Sequence, residues 1–273
     1  MEKLQRNERI AALLKVLSDS PSKIFTLSHF TEMFGSAKST VSEDIDIVQN
    51  LLAKFEFGSI ETIPGASGGI RFVPTMSSDK AREIVQYLCS ELSKKERILP
   101  GGYLYMLDII YNPEIITDIG RIFAGEFFTK NIDYVLTVET KGIPLAFMTA
   151  KYLNVPLVIV RHYNEATDGA SVNINYVSGS SKRIQTMVLS LKAIKRNSRL
   201  LFIDDFMKGG GTAKGIMELA KEFECEVAGI GVMIETAEPE KKLVDNYFSL
   251  LTFSGVDEEN RTIHIQPSID RAL

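Results

Sequence analysis

The segment most informative about the fold is Arg199-Leu200-Leu201-Phe202-Ile203-Asp204-Asp205-Phe206-Met207-Lys208-Gly209-Gly210-Gly211-Thr212. Its first residues are apolar enough for a strand that is buried on both faces, and a helix is expected after Thr212. Two adjacent acids and a glycine-rich turn lie between the two elements. In open α/β sheets, ligands bind at the carboxyl end of such a strand. The stretch therefore predicts an α/β domain with a ligand site at this turn.

The turn combines two kinds of binding group. Glycines at positions 209 to 211 let the backbone approach a phosphate, and the N–H groups at the start of a helix hold it. Thr212 adds a hydroxyl donor. The carboxylates of Asp204 and Asp205 would repel a phosphate, but they can accept hydrogen bonds from the neighbouring hydroxyl groups of a ribose. We therefore expect a phosphorylated ribose as the ligand.

The chain around this stretch alternates helices and strands. Helices are expected over residues 79–92, 115–128 and 144–153 and after Thr212, and strands over 134–138, 157–160, 186–191, 200–203 and 227–234. Alternation of this size indicates a mostly parallel sheet. Residues 163–183 are polar and rich in serine, so we expect a long loop there, and loops of that length are usually functional or mobile.

The first 75 residues follow another pattern. Apolar spacing predicts one helix over 4–17, a second that Thr26 caps and that ends near Gly35, and a third from about residue 36. Two β-prone runs, 59–63 and 70–73, then flank a glycine-rich tip. Three helices and a hairpin are typical of a winged helix-turn-helix domain. We expect domains at 1–75 and 76–273.

The overall composition limits the class of protein. Hydrophobic residues make up 45% of the 273 residues and charged residues 24%, which is ordinary for a soluble globular protein. The apolar runs are shorter than the roughly 20 residues that span a bilayer, so we expect a cytoplasmic protein with no membrane contact. The two cysteines have neither disulfide nor metal-site spacing, and no metal site is predicted. The net charge of −4 excludes a globally basic nucleic-acid binder but allows a local positive patch.

The stretch 199–212 resembles the signature of the type I phosphoribosyltransferase family. In that family two acids hold the 2- and 3-hydroxyls of 5-phosphoribosyl-1-pyrophosphate, and the following loop holds its 5-phosphate. The segment Val138-Glu139-Thr140-Lys141-Gly142-Ile143-Pro144 is similar to the family's pyrophosphate loop. By this resemblance the expected ligand-binding residues are Asp204, Asp205, Phe206, Met207, Lys208, Gly209, Gly210, Gly211, Thr212, Thr140, Lys141 and Gly142.

Two further residues and one segment are assigned to the same site. Arg161 follows the strand at 157–160 and faces either the ligand or the solvent, and Tyr103 ends the segment Arg97-Ile98-Leu99-Pro100-Gly101-Gly102-Tyr103. The segment Tyr176-Val177-Ser178-Gly179-Ser180-Ser181 matches the position of the family's flexible loop.

Four segments resemble the purine-operon repressors of Gram-positive bacteria, and the resemblance covers nearly the whole chain. They are residues 39–44, 64–69, 97–103 and 204–208. The resemblance implies a dimeric repressor of purine biosynthesis genes. Its transferase-like domain senses 5-phosphoribosyl-1-pyrophosphate without turnover, and this effector weakens operator binding; some relatives activate instead. No catalytic residue and no required cofactor are assigned. Mg²⁺ is expected at most as a companion of the effector, and guanosine nucleotides are further candidate ligands.

The DNA-binding surface has to be a local one. Residues 1–74 carry eight basic and nine acidic side chains, which is a poor balance for attracting DNA phosphate. Small polar residues at the start of the third helix suit a recognition helix in the major groove. The expected DNA-binding residues are Lys3, Arg6, Lys38, Ser39, Thr40, Ser42 and Arg71.

Three alternatives remain open from the sequence. The third helix can instead be the solvated face of a dimerisation module. The whole chain can be a purine phosphoribosyltransferase with an accessory N-terminal domain, because the same loops would bind the same donor and Mg²⁺ would bridge its pyrophosphate. An anionic effector can either compete with DNA phosphate or shift a dimer between two arrangements.

Overall fold

A computed structural model of the chain describes residues 4–65, 68–165, 169–177 and 184–268. The chain folds as two compact units. One comprises Met1–Ser77 and Lys151–Asn154, and the other comprises Ser78–Ala150 and Val155–Leu273. The division after Ser77 lies close to the boundary expected at residue 75.

The N-terminal unit has the winged helix-turn-helix elements. They are α1 (Arg6–Asp19), α2 (Leu27–Phe34), α3 (Lys38–Lys54), β1 (Ser59–Ile63) and β2 (Gly69–Val73). The Thr26 hydroxyl accepts a hydrogen bond from the His29 N–H at 3.2 Å and so caps α2. Gly35 ends the same helix with φ 59°, the left-handed conformation that glycine adopts at low cost. Local capping rules therefore located these ends correctly.

A buried ion pair joins α1 to α3. The Asp44 side chain is fully buried, and its two oxygens accept hydrogen bonds from Arg9 Nε at 2.7 Å and Nη2 at 3.2 Å. Around this pair, the two helices pack apolar side chains such as Leu13, Val41 and Val48 into one core. A two-pronged contact between buried charges fixes the rotation of one helix against the other, because a different register would leave both charges unpaired.

The larger unit contains five α-helices among its described residues. They are α4 (Ser78–Leu92), α5 (Leu107–Ile110), α6 (Pro113–Phe127), α7 (Ile143–Leu153) and α8 (Gly211–Glu222). Its strands are β3 (Ile98–Leu99), β4 (Tyr103–Leu104), β5 (Tyr134–Val138), β6 (Leu157–Val160), β7 (Ser171–Val177), β8 (Ile184–Ser190), β9 (Arg199–Met207), β10 (Glu226–Thr236), β11 (Phe248–Asp257) and β12 (Thr262–Pro267).

Six strands form the main sheet in the order β12-β11-β10-β9-β5-β6. All neighbouring pairs are parallel except β11 with β12, so the predicted mostly parallel sheet is confirmed. Residues 200 to 203 of β9 are at most 1% exposed. The strand continues to Met207, four residues beyond the expected end, and carries Asp204 and Asp205 within it. These acids are therefore held by strand pairing rather than by a loop.

The expectation of a loop over 163–183 is wrong for its middle part. Ser171–Val177 is the strand β7, which pairs antiparallel with β8 from Ser171 opposite Ser190 to Val177 opposite Ile184. This two-stranded ribbon lies outside the main sheet, so β8 does not continue the parallel alternation. Because β7 is rich in polar residues, its sequence resembles a loop. The segment is a strand because it pairs with β8. Residues 178–183 lie outside the described part of the chain.

The C-terminal strands β11 and β12 were not predicted from the sequence. None of the helices in the described ranges is long and apolar enough to cross a membrane.

Candidate functional site

A cavity of about 360 Å³ lies where the segments after β5 and β9 come together, at the carboxyl ends of two adjacent parallel strands. It brings together most of the ligand-binding residues expected from the sequence. Those that line it are Asp204, Asp205, Phe206, Met207, Lys208, Gly209, Gly210, Gly211, Thr212, Thr140 and Lys141. Two segments more than 60 residues apart therefore share one cavity, as the order of the parallel strands requires.

The two carboxylates of the cavity influence each other. The Asp205 backbone N–H donates a hydrogen bond to Asp204 Oδ1 at 3.0 Å. Burial raises the pKa of Asp204 well above its usual range, and the neighbouring Asp205 charge adds to the rise. Burial also raises the pKa of Asp205, while the Asp204 side chain and the positive charge of Lys141 act in the opposite direction. The site thus holds acceptor oxygens that lack full compensation within the protein.

The glycine-rich turn leads directly into α8. Gly210 has φ 78° and stands at the N-cap, so no side chain caps the first turn of the helix. The N–H groups of that turn and the positive end of the helix dipole are suited to bind an anion. The glycine-rich turn and the two carboxylates therefore line the same cavity.

Residues at the end of β10 and in the segment that follows it support this turn, and no local sequence pattern predicted this contact. The Leu243 N–H donates to the Gly209 carbonyl at 2.9 Å, and the Thr236 hydroxyl donates to the Lys208 carbonyl at 3.0 Å. The buried Lys242 ammonium donates to the Thr236 carbonyl at 2.6 Å, and burial lowers its pKa. The two carbonyls of the turn are thereby held from one side.

Gly142 does not line the cavity, but its backbone lies close to the carboxylates. A Cβ atom at this position would stand 2.4 Å from Thr137 Oγ1 and 3.0 Å from Asp204 Oδ1. Such distances are too short for any side chain without a shift of its neighbours. Gly142 therefore permits a close approach between the segment after β5 and β9, and its assignment to the ligand stays a prediction.

Four polar residues of the cavity were not assigned individually as site residues from the sequence: Glu139, His162, Tyr176 and Gln185. The His162 backbone N–H donates to Glu139 Oε1 at 2.8 Å, and the Tyr176 hydroxyl donates to Gln185 Oε1 at 2.7 Å. Burial raises the pKa of Tyr176. Glu139 directly follows β5, and His162 is the second residue after β6, the parallel neighbour of β5. This placement at the carboxyl ends of adjacent strands is the feature of the sequence that could have identified them.

Two expected ligand residues lie elsewhere in the larger unit. Arg161 Nη1 forms an ion pair with Glu165 Oε1 at 2.9 Å, and Arg161 lines a separate hollow beside β6 and β8. Tyr103, on β4, is 71% exposed and does not line the cavity. Their assignment to the ligand stays a prediction.

The expected DNA-binding residues divide into two groups. Lys38 and Ser42 line a hollow of about 660 Å³ that α2, α3 and the β1–β2 hairpin enclose, while Ser39 is exposed and Thr40 half-buried. The arginines are engaged within the unit: Arg6 Nη2 lies 3.3 Å from Glu43 Oε2, and Arg71 Nη2 lies 2.7 Å from Glu61 Oε2. Lys3 and the hairpin residues 66 and 67 lie outside the described residues.

No group of three or more His, Cys, Asp or Glu side chains in the described residues is placed to hold a metal ion.

Two family models match the chain. Residues 5–74 match the N-terminal domain of the bacterial purine repressor, and residues 106–271 match the phosphoribosyl transferase domain.

Among proteins of known function, the chain is 47% identical to the purine biosynthesis transcriptional repressor of Bacillus subtilis, over 97% of this chain and 93% of that protein. It is 39% identical to the purine biosynthesis transcriptional activator of Lactococcus lactis, over 96% of this chain and 97% of that protein. A xanthine phosphoribosyltransferase of Lactobacillus delbrueckii is 32% identical over 56% of this chain and 83% of the enzyme.

Among solved structures, the adenine phosphoribosyltransferase of Thermoanaerobacter pseudethanolicus matches with a TM-score of 0.54. The match covers 62% of this chain and 99% of that one, at 16% sequence identity. A likeness at this identity shows the fold of the larger unit and nothing about its ligand.

Proposed function

Because the chain belongs to the family of bacterial transcriptional regulators of purine biosynthesis, we propose that it represses purine biosynthesis genes and that 5-phosphoribosyl-1-pyrophosphate relieves the repression. In this proposal the winged helix binds operator DNA. The effector binds at the carboxyl ends of β5 and β9 and lowers the affinity for DNA.

The observation that carries the effector proposal is the pairing of opposite chemistries in the 360 Å³ cavity. Asp204 and Asp205 present acceptors to ribose hydroxyls, while the turn before α8 presents N–H groups to the 5-phosphate. Lys141 supplies a positive charge for the pyrophosphate. Oxygen-rich pyrophosphate would itself provide most ligands of an accompanying Mg²⁺ ion, so this proposal needs no cluster of metal-binding side chains.

The coupling can be tested by fluorescence anisotropy. A labelled duplex from the control region of a purine biosynthesis gene is titrated with the full chain, with and without 5-phosphoribosyl-1-pyrophosphate and Mg²⁺. We expect tight binding without the effector and an increase of Kd of about tenfold or more with it. An unchanged Kd in the presence of a ligand that calorimetry shows to be bound contradicts the coupling.

A matched variant keeps that experiment specific. Asp204→Asn combined with Asp205→Asn preserves the shape of the cavity but removes both carboxylates. We expect this variant to bind the duplex as the unchanged chain does and to ignore the effector, because the ribose hydroxyls lose their charged acceptors.

We propose that the transferase fold serves ligand binding alone. The rival is a purine phosphoribosyltransferase, and the 32% identity to a xanthine phosphoribosyltransferase makes xanthine the first base to test. Nucleotide formation is measured with xanthine, guanine, hypoxanthine and adenine beside a known transferase as control. Turnover comparable to that control with any of these bases would establish the enzyme in place of the pure sensor.

Guanosine nucleotides and a second copy of the chain complete the proposed partners. Phosphorylated guanosine compounds are expected to displace labelled effector, because the same N–H groups would hold their phosphate. A homodimer is expected from the family resemblance, so light scattering on the purified protein should give about twice the chain mass of 30.4 kDa. A single-chain mass at micromolar concentration contradicts the dimer.

A further inference from the structure

We propose that Asp46 reads a cytosine in the operator, its carboxylate accepting a hydrogen bond from the exocyclic amino group of that base in the major groove. The inference rests on the DNA-binding function proposed above and deepens it. It adds one residue and one base to a surface whose specificity is otherwise undefined.

The position of Asp46 on α3 supports this role. Asp46 lies seven positions after Ser39. Over seven positions a straight α-helix completes two full turns less about 20°. Asp46 therefore shares the exposed face with Ser39 and Ser42, while Val41 and Val48 occupy the buried side. The rise from Ser39 to Asp46 is about 10 Å, roughly the length of three base pairs.

The surroundings of Asp46 are those of the expected DNA interface. Asp46 lines the hollow between α3 and the hairpin together with Lys38, Ser42 and, on the hairpin, Thr62. Its side chain is exposed. If Ser42 contacts a base edge and Lys38 contacts a phosphate, the bound duplex lies next to the Asp46 carboxylate.

The partners of the other acids set Asp46 apart. On α3, Glu43 lies 3.3 Å from an Arg6 nitrogen, and Asp44 lies 2.7 Å from an Arg9 nitrogen. The other described acids of this unit with hydrogen-bond or ion-pair partners are Glu8, Asp19, Glu56 and Glu61. Among the described acids of this N-terminal unit, only Asp46 and Glu32 have no such partner.

An unpaired carboxylate on a DNA-binding face lowers the affinity for a polyanion, and a gain in selectivity can offset that loss. Cytosine presents an amino donor in the major groove, and a carboxylate matches it. Guanine presents two acceptors there, which repel a carboxylate. Thymine presents a carbonyl oxygen, which also repels it, and a methyl group, which cannot donate a hydrogen bond to it. Adenine has an amino group, but its N7 acceptor stands beside it.

The test is selection from a library of random duplexes by the full-length protein, followed by sequencing. The chains compared are the unchanged protein, Asp46→Asn, Asp46→Ser and Glu32→Gln. Glu32→Gln is the matched control, because Glu32 is also exposed and unpaired but lies on α2 and does not line the hollow. Circular dichroism melting checks that every variant is folded.

We expect the unchanged chain to enrich a motif with cytosine at one fixed position of each half-site. Asp46→Ser should lower the preference for that base by about tenfold, since one side-chain-to-base contact typically contributes that much discrimination. Asp46→Asn should shift the position towards adenine, which the amide can read. Glu32→Gln should return the original motif.

Other results overturn the inference in distinguishable ways. If both Asp46 variants keep the original motif and merely bind all duplexes more tightly, the carboxylate acts by repulsion alone. If the unchanged chain enriches no motif, the proposed operator binding fails together with the role of Asp46.

Discussion

Asp44 in the N-terminal unit is fully buried and Asp204 in the larger unit is half-buried in the cavity wall, and their electrostatic surroundings are opposite. Arg9 bonds both oxygens of Asp44, and the pair joins α1 to α3. Asp204 has another carboxylate as its neighbour, and its pKa is raised well above the usual range by burial first and by the Asp205 charge second. The charge of the first acid is compensated within the fold, whereas the uncompensated charge of the second costs stability. Such a cost is typical of residues kept for binding rather than for folding.

The largest effect is expected from removing the paired acid. Asp44→Ala leaves Arg9 without its partner, and the loss of one member of a buried ion pair costs about 3–5 kcal/mol of unfolding free energy. Chemical denaturation followed by circular dichroism measures it. If unfolding shows two transitions, the one whose midpoint shifts when operator DNA is added belongs to the N-terminal unit.

The control for that prediction removes both charges. Asp44→Leu combined with Arg9→Met should recover most of the lost stability, since apolar residues of similar volume often replace buried ion pairs without cost. If the double variant is as unstable as Asp44→Ala, the hydrogen-bonded ion pair itself contributes net stability that apolar packing does not replace.

A smaller effect, on binding rather than folding, is expected at the unpaired acid. Asp204→Asn should weaken the binding of 5-phosphoribosyl-1-pyrophosphate by about 10- to 150-fold, because hydrogen bonds to charged groups contribute roughly 1.5–3 kcal/mol. Isothermal titration calorimetry measures the change. Asp118→Asn, on α6 and outside the cavity, serves as the control and should leave Kd unchanged.

The same Asp204→Asn variant should melt at a higher temperature than the unchanged chain at pH 8, by a few degrees. Because its pKa is raised, the Asp204 carboxyl group keeps its proton in the folded state over a pH range in which it has lost that proton in the unfolded state. The resulting penalty is fully present above the raised pKa, and it disappears as the pH falls to the ordinary aspartate value of about 4. The difference in Tm should therefore shrink on acidification.

A Tm difference that stays constant from pH 8 to about pH 4 would show that Asp204 carries no electrostatic penalty. Acidification should also release the ligand once Asp204 is protonated, which a ligand titration at each pH can follow.

The smallest effect is expected at Tyr176. Tyr176→Phe removes the hydrogen bond to Gln185 and keeps the ring against α8. The free energy of ligand binding should become less favourable by about 0.5–1.5 kcal/mol, the usual contribution of one hydrogen bond. Calorimetry resolves a threefold to tenfold change in Kd. Gln185→Ala should give a similar loss, and combining it with Tyr176→Phe should add little, because both remove one interaction.

The sequence predicted much of the fold because many of its signals are local. Thr26 and Gly35 bound α2 through contacts with residues a few positions away, and the hairpin strands alternate around a glycine-rich tip. The stretch 199–212 predicted a buried strand, a turn and a helix, and the structure has all three. β7 escaped prediction because its stability depends on pairing with β8, across residues whose sequence resembles a loop.

The residues of the candidate site that belong to a sequence motif were predicted, whereas those contributed by distant elements without such a motif were not. The positions of Asp204 to Thr212 follow from the motif, and Thr140 and Lys141 join them through the parallel pairing of β5 with β9. The support that Thr236 and Leu243 give to the turn has no counterpart in any sequence pattern, since these hydrogen bonds join residues about 30 positions apart.

The winged helix, the mostly parallel α/β unit and the loop suited to a phosphorylated ribose are all predictable from the sequence. Local propensity, capping and glycine content act over a few residues, and they can be read without knowing the rest of the fold. Only the tertiary structure decided which charges find partners. Arg6 and Arg9 neutralise two acids of α3 but leave Asp46 unpaired, and the strand order sets Asp204 beside Asp205 with Lys141 nearby. Electrostatic energies depend on distance in space and on burial, and neither follows from distance along the chain.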